Sequence, residues 1–328
     1  DRVWFYGRWT EFGKIVATNA ILTLVTLGIY RFWGATRERR YLWSHTVLLG
    51  EELVWTGTGL ELFKGSLIAI IVLAAPLFAW QAGFTYLLAH GRREEAYALA
   101  IVALLFINFV IGVAKFRGLR YRLSRTYWRG IRGGSNNSGL SYGLSNTWKW
   151  AANYLSAGLA IPWTMITLWN DRWKEMSFGQ SDFISEARVG PVFRSFLLFY
   201  LVPIFLGLLT LATIVTKGGM IGGTYYFINA PLVVRAIIYL GTAFAFYWFI
   251  GIIFLNYYAS FYREAVARLR LDGLGFTFEA SAGEWMKLFL VDALLIVITL
   301  GFGWLFLGYR HWAFFIQHLG VVGEIDPS

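Results

Sequence analysis

The sequence predicts an all-α polytopic membrane protein with small β-hairpins at its cytoplasmic surface, and three observations carry that prediction. The first is composition: 57% of the 328 residues are hydrophobic and 15% charged, with a mean hydropathy of +0.55. Soluble domains run at roughly 45–50% apolar and about 25% charged. The second is length, because several apolar runs reach the ~20 residues a helix needs to cross a hydrocarbon core about 30 Å thick. The third is self-similarity. Residues 11–51 lie over residues 284–324 without a gap at a constant offset of 273, which places Glu11 on Glu284, Thr26-Leu27-Gly28 on Thr299-Leu300-Gly301, Arg37 on Arg310 and His45 on His318.

Taken in order, the chain opens with Val3-Trp4-Phe5-Tyr6-Gly7, an extended aromatic segment. The first copy of the repeated unit follows. It has a Glu-x-x-Lys helix start at Glu11, about fourteen mostly apolar residues, a Gly break at Gly28, and a second helix rich in Trp, Tyr and Arg. Thr46–Gly59 reads as a hairpin at the membrane surface around Gly50-Glu51-Glu52. Leu62–His90 and Ala96–Ala114 are then two long apolar runs separated by the charged loop Gly91–Glu95, which makes a transmembrane hairpin.

Lys115–Arg132 is the most basic stretch, and a polar Gly/Ser/Asn linker, Gly133–Gly139, follows it. From Ser141 the unit recurs in a looser form that needs gaps, with Lys149, an apolar helix to Gly158, and a break at Ala160-Ile161-Pro162-Trp163. Val192–Thr216 and Pro231–Tyr262, joined by the Gly-rich loop Lys217–Ala230, form a second transmembrane hairpin. It resembles the first at an offset of 148, with Asn108 on Asn256 and Lys115 on Arg263. Leu269–Gly283 is a second surface hairpin turning at Asp272-Gly273, and the last copy of the unit closes the chain. The organisation is thus residues 1–60 (unit one), 61–116 (hairpin), 117–190 (basic segment and unit two), 191–263 (hairpin) and 264–328 (unit three).

Charge sets the topology. The net charge is +10, and basic clusters such as Arg37-Glu38-Arg39-Arg40 and Arg117 to Arg132 sit beside membrane segments rather than on a separate basic domain, which reads as anchoring to the cytoplasmic face; a nucleic-acid partner is the weaker reading and none is expected. The hairpins begin beside Lys64 and Arg194 and end in Lys115 and Arg263, so all four ends are expected in the cytoplasm. Each unit must then leave the membrane on the side it entered. The expected architecture is four full transmembrane helices plus three re-entrant or interfacial helix pairs; the alternative has each apolar arm spanning, for about seven transmembrane helices. The N-terminal residues show no cleavable signal pattern, and the absence of Cys excludes disulfides and thiolate metal sites.

Two motifs carry a resemblance. Leu27-Gly28-Ile29-Tyr30-x-x-Trp33 followed by Arg37-x-x-Arg40-Tyr41, and Arg125-Thr126-Tyr127-Trp128-Arg129-Gly130-Ile131-Arg132, resemble the YjgN-like family of bacterial inner-membrane proteins of unknown function. The middle unit departs from the pattern, with Ala160-Ile161-Pro162-Trp163 where a Leu-Gly motif would stand. The resemblance implies a multi-pass protein of the bacterial inner membrane and, as a partner, a membrane-linked metallopeptidase. It implies no established activity.

Candidate residues follow from chemistry and position. No His-Glu-x-x-His, phosphate-binding loop or Gly-x-Ser-x-Gly is present, so no catalytic residue, cofactor or metal site is expected. Arg37, Arg39, Arg40 and Arg310, with Trp33, Trp43 and Trp312 beside them, suit anionic lipid headgroups or an acidic partner face. Asp292 lies inside an apolar helix, where a carboxylate is costly and marks a proton or cation site or an interhelical bond. Its equivalent is Asn19, and Asn108 and Asn256 are a second intramembrane polar pair. The expected function is a non-enzymatic scaffold or accessory subunit of a membrane complex, and the alternative is a transporter or lipid-handling protein using broken helices and Asp292.

Overall fold

The computed structural model describes residues 3–215 and 231–323. The expected loop Lys217–Ala230 lies outside the described residues, as do Thr216 and the last five residues. The fold is mostly helical, at 71%, with short strands between the helices. A strand β1 (Val3–Phe5) leads into α1 (Trp9–Val25) and α2 (Arg31–Ser44), followed by β2 (Thr46–Leu48), β3 (Glu51–Glu52) and β4 (Val54–Trp55). Two long helices, α3 (Gly59–Ala89) and α4 (Arg93–Arg125), then run out and back to β5 (Thr126–Trp128) and β6 (Ile131–Gly134). A second short helix pair, α5 (Leu140–Leu155) and α6 (Ile161–Lys174), is followed by β7 (Ser177–Phe178) and β8 (Ser181–Ser185). After α7 (Val189–Val215) and α8 (Leu232–Ala267) come β9 (Leu269–Leu271) and β10 (Leu274–Phe278). The chain closes with α9 (Ala282–Ile298), a 3₁₀ turn at Phe302–Phe306, α10 (Leu307–His318) and β11 (Leu319–Val322).

The three short helix pairs turn by one backbone device. Leu27-Gly28, Ala157-Gly158 and Leu300-Gly301 all have positive φ, the non-Gly residues at 50–52° and the glycines at 88–98°. In each, the glycine N–H reaches back to a carbonyl five residues earlier, at Thr23, Asn153 and Ile296. This is a left-handed helix stop, the conformation that favours Gly. A hydroxyl two residues before each glycine then accepts a backbone N–H at the start of the next helix. Thr26 Oγ1 accepts from Tyr30 N, Ser156 Oγ from Ala160 N and Thr299 Oγ1 from Gly303 N. The break expected at Ala160–Trp163 is therefore displaced to Ala157-Gly158. Pro162 instead sits in the first turn of α6, where its missing N–H leaves no bond unmade.

The hairpins expected as small separate features belong to longer sheets. β1-β2-β3 form a three-stranded antiparallel sheet, and β11-β10-β9-β8-β7-β6-β5-β4 an eight-stranded one. Part of the supposed polar linker is strand β6, and most of the basic stretch is the last three turns of α4. Turns Leu49-Gly50 and Arg129-Gly130 have both residues at positive φ, the geometry that lets a two-residue loop follow the twist of its strands. The strands preceding and following each short helix pair bond to each other: β1 to β2, β6 to β7 and β10 to β11.

Both helices α3 and α4, at 31 and 33 residues, are long and apolar enough to cross a membrane. Their strand-side ends are tied by Glu61, which bridges Arg125 at 2.7 Å and caps α3 together with Thr58. The first and last short helix pairs interlock. Phe12, Tyr41 and Trp43 pack with Phe306, Tyr309 and Trp312, so the two ends of the chain share one core cluster.

Candidate functional site

Nine residues before each left-handed glycine stands a buried polar side chain: Asn19, Lys149 and Asp292, at 4%, 5% and 4% exposure. At 1.5 Å per residue this is about 13 Å from the turn. Two antiparallel arms bring residues equidistant from their turn face to face, and Arg37 and Arg310 lie nine residues after Gly28 and Gly301. Arg37 Nη1 donates to Asn19 Oδ1 at 3.2 Å, while the amide nitrogen of Asn19 donates to Gly34 O and to Glu38 Oε1 at 3.1 and 3.0 Å. In the last pair Arg310 Nε donates to Asp292 Oδ1 at 2.5 Å, and His311 Nε2 lies 2.7 Å from Oδ2. The carboxylate has changed helices between the two: it stands on α2 in the first pair, as Glu38, and on α9 in the last.

The middle pair solves the same problem with different atoms. Lys149 Nζ donates to Asp171 Oδ2 at 2.5 Å, and Ser145 Oγ donates to the same oxygen at 3.0 Å. Thr164 Oγ1 is shared between Asn153 Oδ1 and Lys149 O. All three pairs thus hold a buried polar group satisfied from the facing helix, as burial in a low-dielectric setting demands.

A cavity of about 580 Å³ opens between the first pair and the turn of the last, lined by Asn19, Arg31, Glu38, Leu300, Phe302 and Trp304 among others. Burial pushes the Glu38 carboxyl above the usual carboxylate range, against the bond from Asn19 and the charge of Arg39. A second cavity of about 440 Å³ lies between the middle pair and the α7–α8 pair, walled by Phe196, Phe199, Tyr200 and Tyr257.

The sequence-predicted residues divide. Arg37 and Arg40 are exposed. Arg39 is half-buried with its guanidinium 5.3 Å from the Trp55 ring, and burial lowers its pKa against the charges of Tyr121 and Glu38. Trp43 is buried and stacks on Trp312 at 4.3 Å, its Nε1 donating to Thr126 Oγ1 and that of Trp312 to Thr46 Oγ1. These two rings fasten the ends of the chain and do not line an exposed surface. Trp33 is half-buried against Phe63. Asn108 is buried, its side chain donating to Leu104 O while its backbone carbonyl accepts from Asn146; Asn256 is half-buried. His45 and His318 make one contact in two places, each ring nitrogen Nδ1 on the carbonyl four residues earlier and Nε2 facing Glu11 or Glu284.

His311 and the Lys149–Asp171 pair were missed by sequence reasoning. The signal for the former was available, since His311 lies at the Glu38 position of the 273-residue offset and next to Arg310.

Comparison with known proteins adds the family. The sequence profile described as "Bacterial protein of unknown function (DUF898)" matches residues 1–328. The chain belongs to the DUF898 family. Among its relatives, the inner membrane protein YjgN of Salmonella typhimurium strain LT2 is 27% identical over 130 residues, 40% of this chain and 30% of the relative. YjgN of Escherichia coli O157:H7 is 26% identical over 157 residues, 48% of this chain and 35% of the relative. The resemblance read from the Leu-Gly-Ile-Tyr and Arg-Thr-Tyr-Trp motifs is borne out. This DUF898 protein spans about a third of the length of the curated relatives it matches, and their name supports a location in the bacterial inner membrane. No solved structure matches it.

Proposed function

We propose that this chain is a multi-pass inner-membrane protein acting as a non-enzymatic scaffold or accessory subunit, with four helices crossing the bilayer and three short helix pairs entering it turn-first from the cytoplasmic side. The observation that carries this reading is the exposure of the turns: Leu27, Leu155 and Leu300 are 94%, 90% and 90% exposed, with Val25, Ile298 and Phe302 exposed beside them. A tight turn in water is built from polar residues, so three apolar tips favour a lipid surround. Supporting the four crossings, α7 and α8 have 27 and 36 residues, about 40 and 54 Å at 1.5 Å per residue. The strand ends, with Arg37 and Arg40, then face the cytoplasm, where anionic lipid or a partner such as a membrane-linked metallopeptidase would meet them.

The chain has no Cys, so Leu27→Cys, Leu155→Cys, Leu300→Cys, Gly50→Cys and Gly91→Cys each give a unique label. With an impermeant maleimide, Gly50→Cys is expected to react from the cytoplasmic side, Gly91→Cys from the periplasmic side, and the three tips slowly from either. Fast labelling of the tips would remove the turn-first arrangement. The scaffold role is tested by co-purification at native expression: a stoichiometric protein partner is expected, and recovery of the chain alone would count against it.

A lipid-handling reading is favoured by one observation, the cavity with apolar walls from the first short helix pair and the turn of the last, and with Asn19, Glu38 and Arg31 at its margin. It predicts lipid retained through purification and lost in Ala20→Trp, which would fill the cavity; equal lipid content in the two proteins would exclude it.

A further inference from the structure

A cluster of cations lies between α4 and α6 around a small cavity. Lys115 on α4 and Arg172 on α6 line a cavity of about 180 Å³ that also presents Tyr142 from α5 and Tyr258 and Tyr262 from α8. No carboxylate lines it, and among the described residues neither the Lys115 nor the Arg172 side chain makes a hydrogen bond or ion pair. The Arg172 Nε is enclosed and unpaired, with the guanidinium 5.7 Å from the Trp169 ring. Arg122, on the same face of α4, lies in the field of both Arg172 and Arg39. An enclosed guanidinium N–H without an acceptor costs the desolvation of a charged group, and clustered like charges add repulsion. By contrast, Lys149, Arg125 and Arg310 each have a carboxylate within 2.7 Å; the Arg235 Nε is likewise enclosed and unpaired, but it does not line this cavity.

We propose that this cavity binds a phosphate group, with Arg172 Nε and the Lys115 ammonium as charged donors and the tyrosine hydroxyls completing the shell. Donors converge from four helices, which suits a tetrahedral anion with several oxygens better than a planar carboxylate. The volume equals roughly six waters at about 30 Å³ each, room for a phosphoryl group with the first atoms of its substituent. The group would come from an anionic phospholipid headgroup or from phosphate in solution. The site is separate from the 580 Å³ cavity and from the exposed arginines of α2, and stands whether the chain is a scaffold or a lipid-handling protein.

The test uses the full chain in detergent, with thermal unfolding followed at fixed ionic strength against inorganic phosphate and, separately, against short-chain phosphatidylglycerol. The wild type is expected to be stabilised by at least one of them over matched chloride. Arg172→Gln and Lys115→Gln should each weaken the response about tenfold or more, the loss of a charge-assisted hydrogen bond, without lowering the unfolding temperature in chloride, because each relieves repulsion. Arg132→Gln, at an exposed strand position, should respond as the wild type does. A response to inorganic phosphate assigns a free anion; a response to the lipid alone assigns a headgroup. No response to either, or equal responses from the wild type and Arg172→Gln, overturns the proposal.

Discussion

The first and last short helix pairs share a backbone and differ in where they keep their charge. In α1–α2 an amide, Asn19, faces Arg37 and Glu38; in α9–α10 a carboxylate, Asp292, faces Arg310 and His311. Both arrangements place one carboxylate and one guanidinium around a buried polar atom, so the fold constrains the balance of charge between the arms more than the identity of any one residue. The Asp292 side chain is 5% exposed while Arg310 is 29% and His311 40%. The carboxylate is the enclosed partner, and the Arg310 guanidinium is its counterion.

This asymmetry sets the largest expected effect. Arg310→Ala would leave Asp292 enclosed with His311 as its sole partner, and breaking a buried ion pair from one side typically costs about 3–5 kcal/mol. Arg37→Ala removes one donor from a neutral amide and should cost nearer 1 kcal/mol. Thermal unfolding in detergent would compare them. Equal losses would break the distinction between the two pairs.

The comparison is sharpened by exchanging the arrangements. Asp292→Asn alone removes an acceptor that serves two donors, and about 1–2 kcal/mol of destabilisation is expected. Combined with His311→Glu it rebuilds the Asn19–Glu38–Arg37 set on α9–α10, and most of that loss should return. A double variant no more stable than the single one would show that the two sites are not interchangeable. If Asp292 instead carries a proton or cation, Asp292→Asn would fold normally and abolish function.

How much of this was legible in the sequence depends on how local the cause is. The turns were legible at Thr26-Leu27-Gly28 and Thr299-Leu300-Gly301, because a left-handed stop needs Gly and the accepting hydroxyl sits two residues before it. In Ser156-Ala157-Gly158 the same device keeps just the glycine and a hydroxyl, and the more conspicuous Pro162 drew the break three to five residues too far along. The long helices were legible from apolar length alone. The sheets were not, since strands of two to five residues leave too little room for an alternating pattern. The facing pairs were not legible either: Asp292 and Arg310 are 18 residues apart, and no i, i+4 rule joins them until the two arms fold back. Trp43 and Trp312 read as headgroup anchors because aromatic-rich helices often are; their stacking is a contact between opposite ends of the chain, which no local window contains.

A smaller effect is expected to be common to the three turns. A side chain added at Gly28 or Gly301 meets nothing within 4 Å, whereas at Gly158 it meets Ile161 Cδ1 at 3.4 Å and Tyr200 at 3.6 Å. Contacts at 3.4–3.6 Å are ordinary van der Waals distances, so Gly28→Ala, Gly301→Ala and Gly158→Ala should each cost only the backbone strain of a left-handed residue, about 1 kcal/mol. Unchanged unfolding temperatures in all three would show that the turns relax without strain.

The smallest expected effect concerns two carboxylates whose environments act in opposite directions. Glu38 is half-buried on α2 and its pKa is raised, chiefly by burial. The folded state therefore holds its charged form at a disadvantage above that raised value, and the disadvantage fades as pH falls toward the ordinary carboxylate range. Glu284 is held at about 2, first by the backbone N–H of Ser281, then by the Ser281 hydroxyl and His318. Its contribution is present above the ordinary carboxylate value and is lost as pH falls through about 2. Between neutral pH and about 4, acidification should thus stabilise the wild type relative to Glu38→Gln, in which the disadvantage is absent at every pH. Glu284→Gln should instead stay below the wild type over that range and close on it only between the ordinary carboxylate value and about 2. Both differences belong to partly exposed groups and are small, so they are best read as shifts in unfolding temperature between paired proteins across a pH series. A Glu38→Gln curve parallel to the wild type would mean that the α2 carboxylate is solvated and that the charge balance of the first helix pair rests on Arg37 and Asn19 alone.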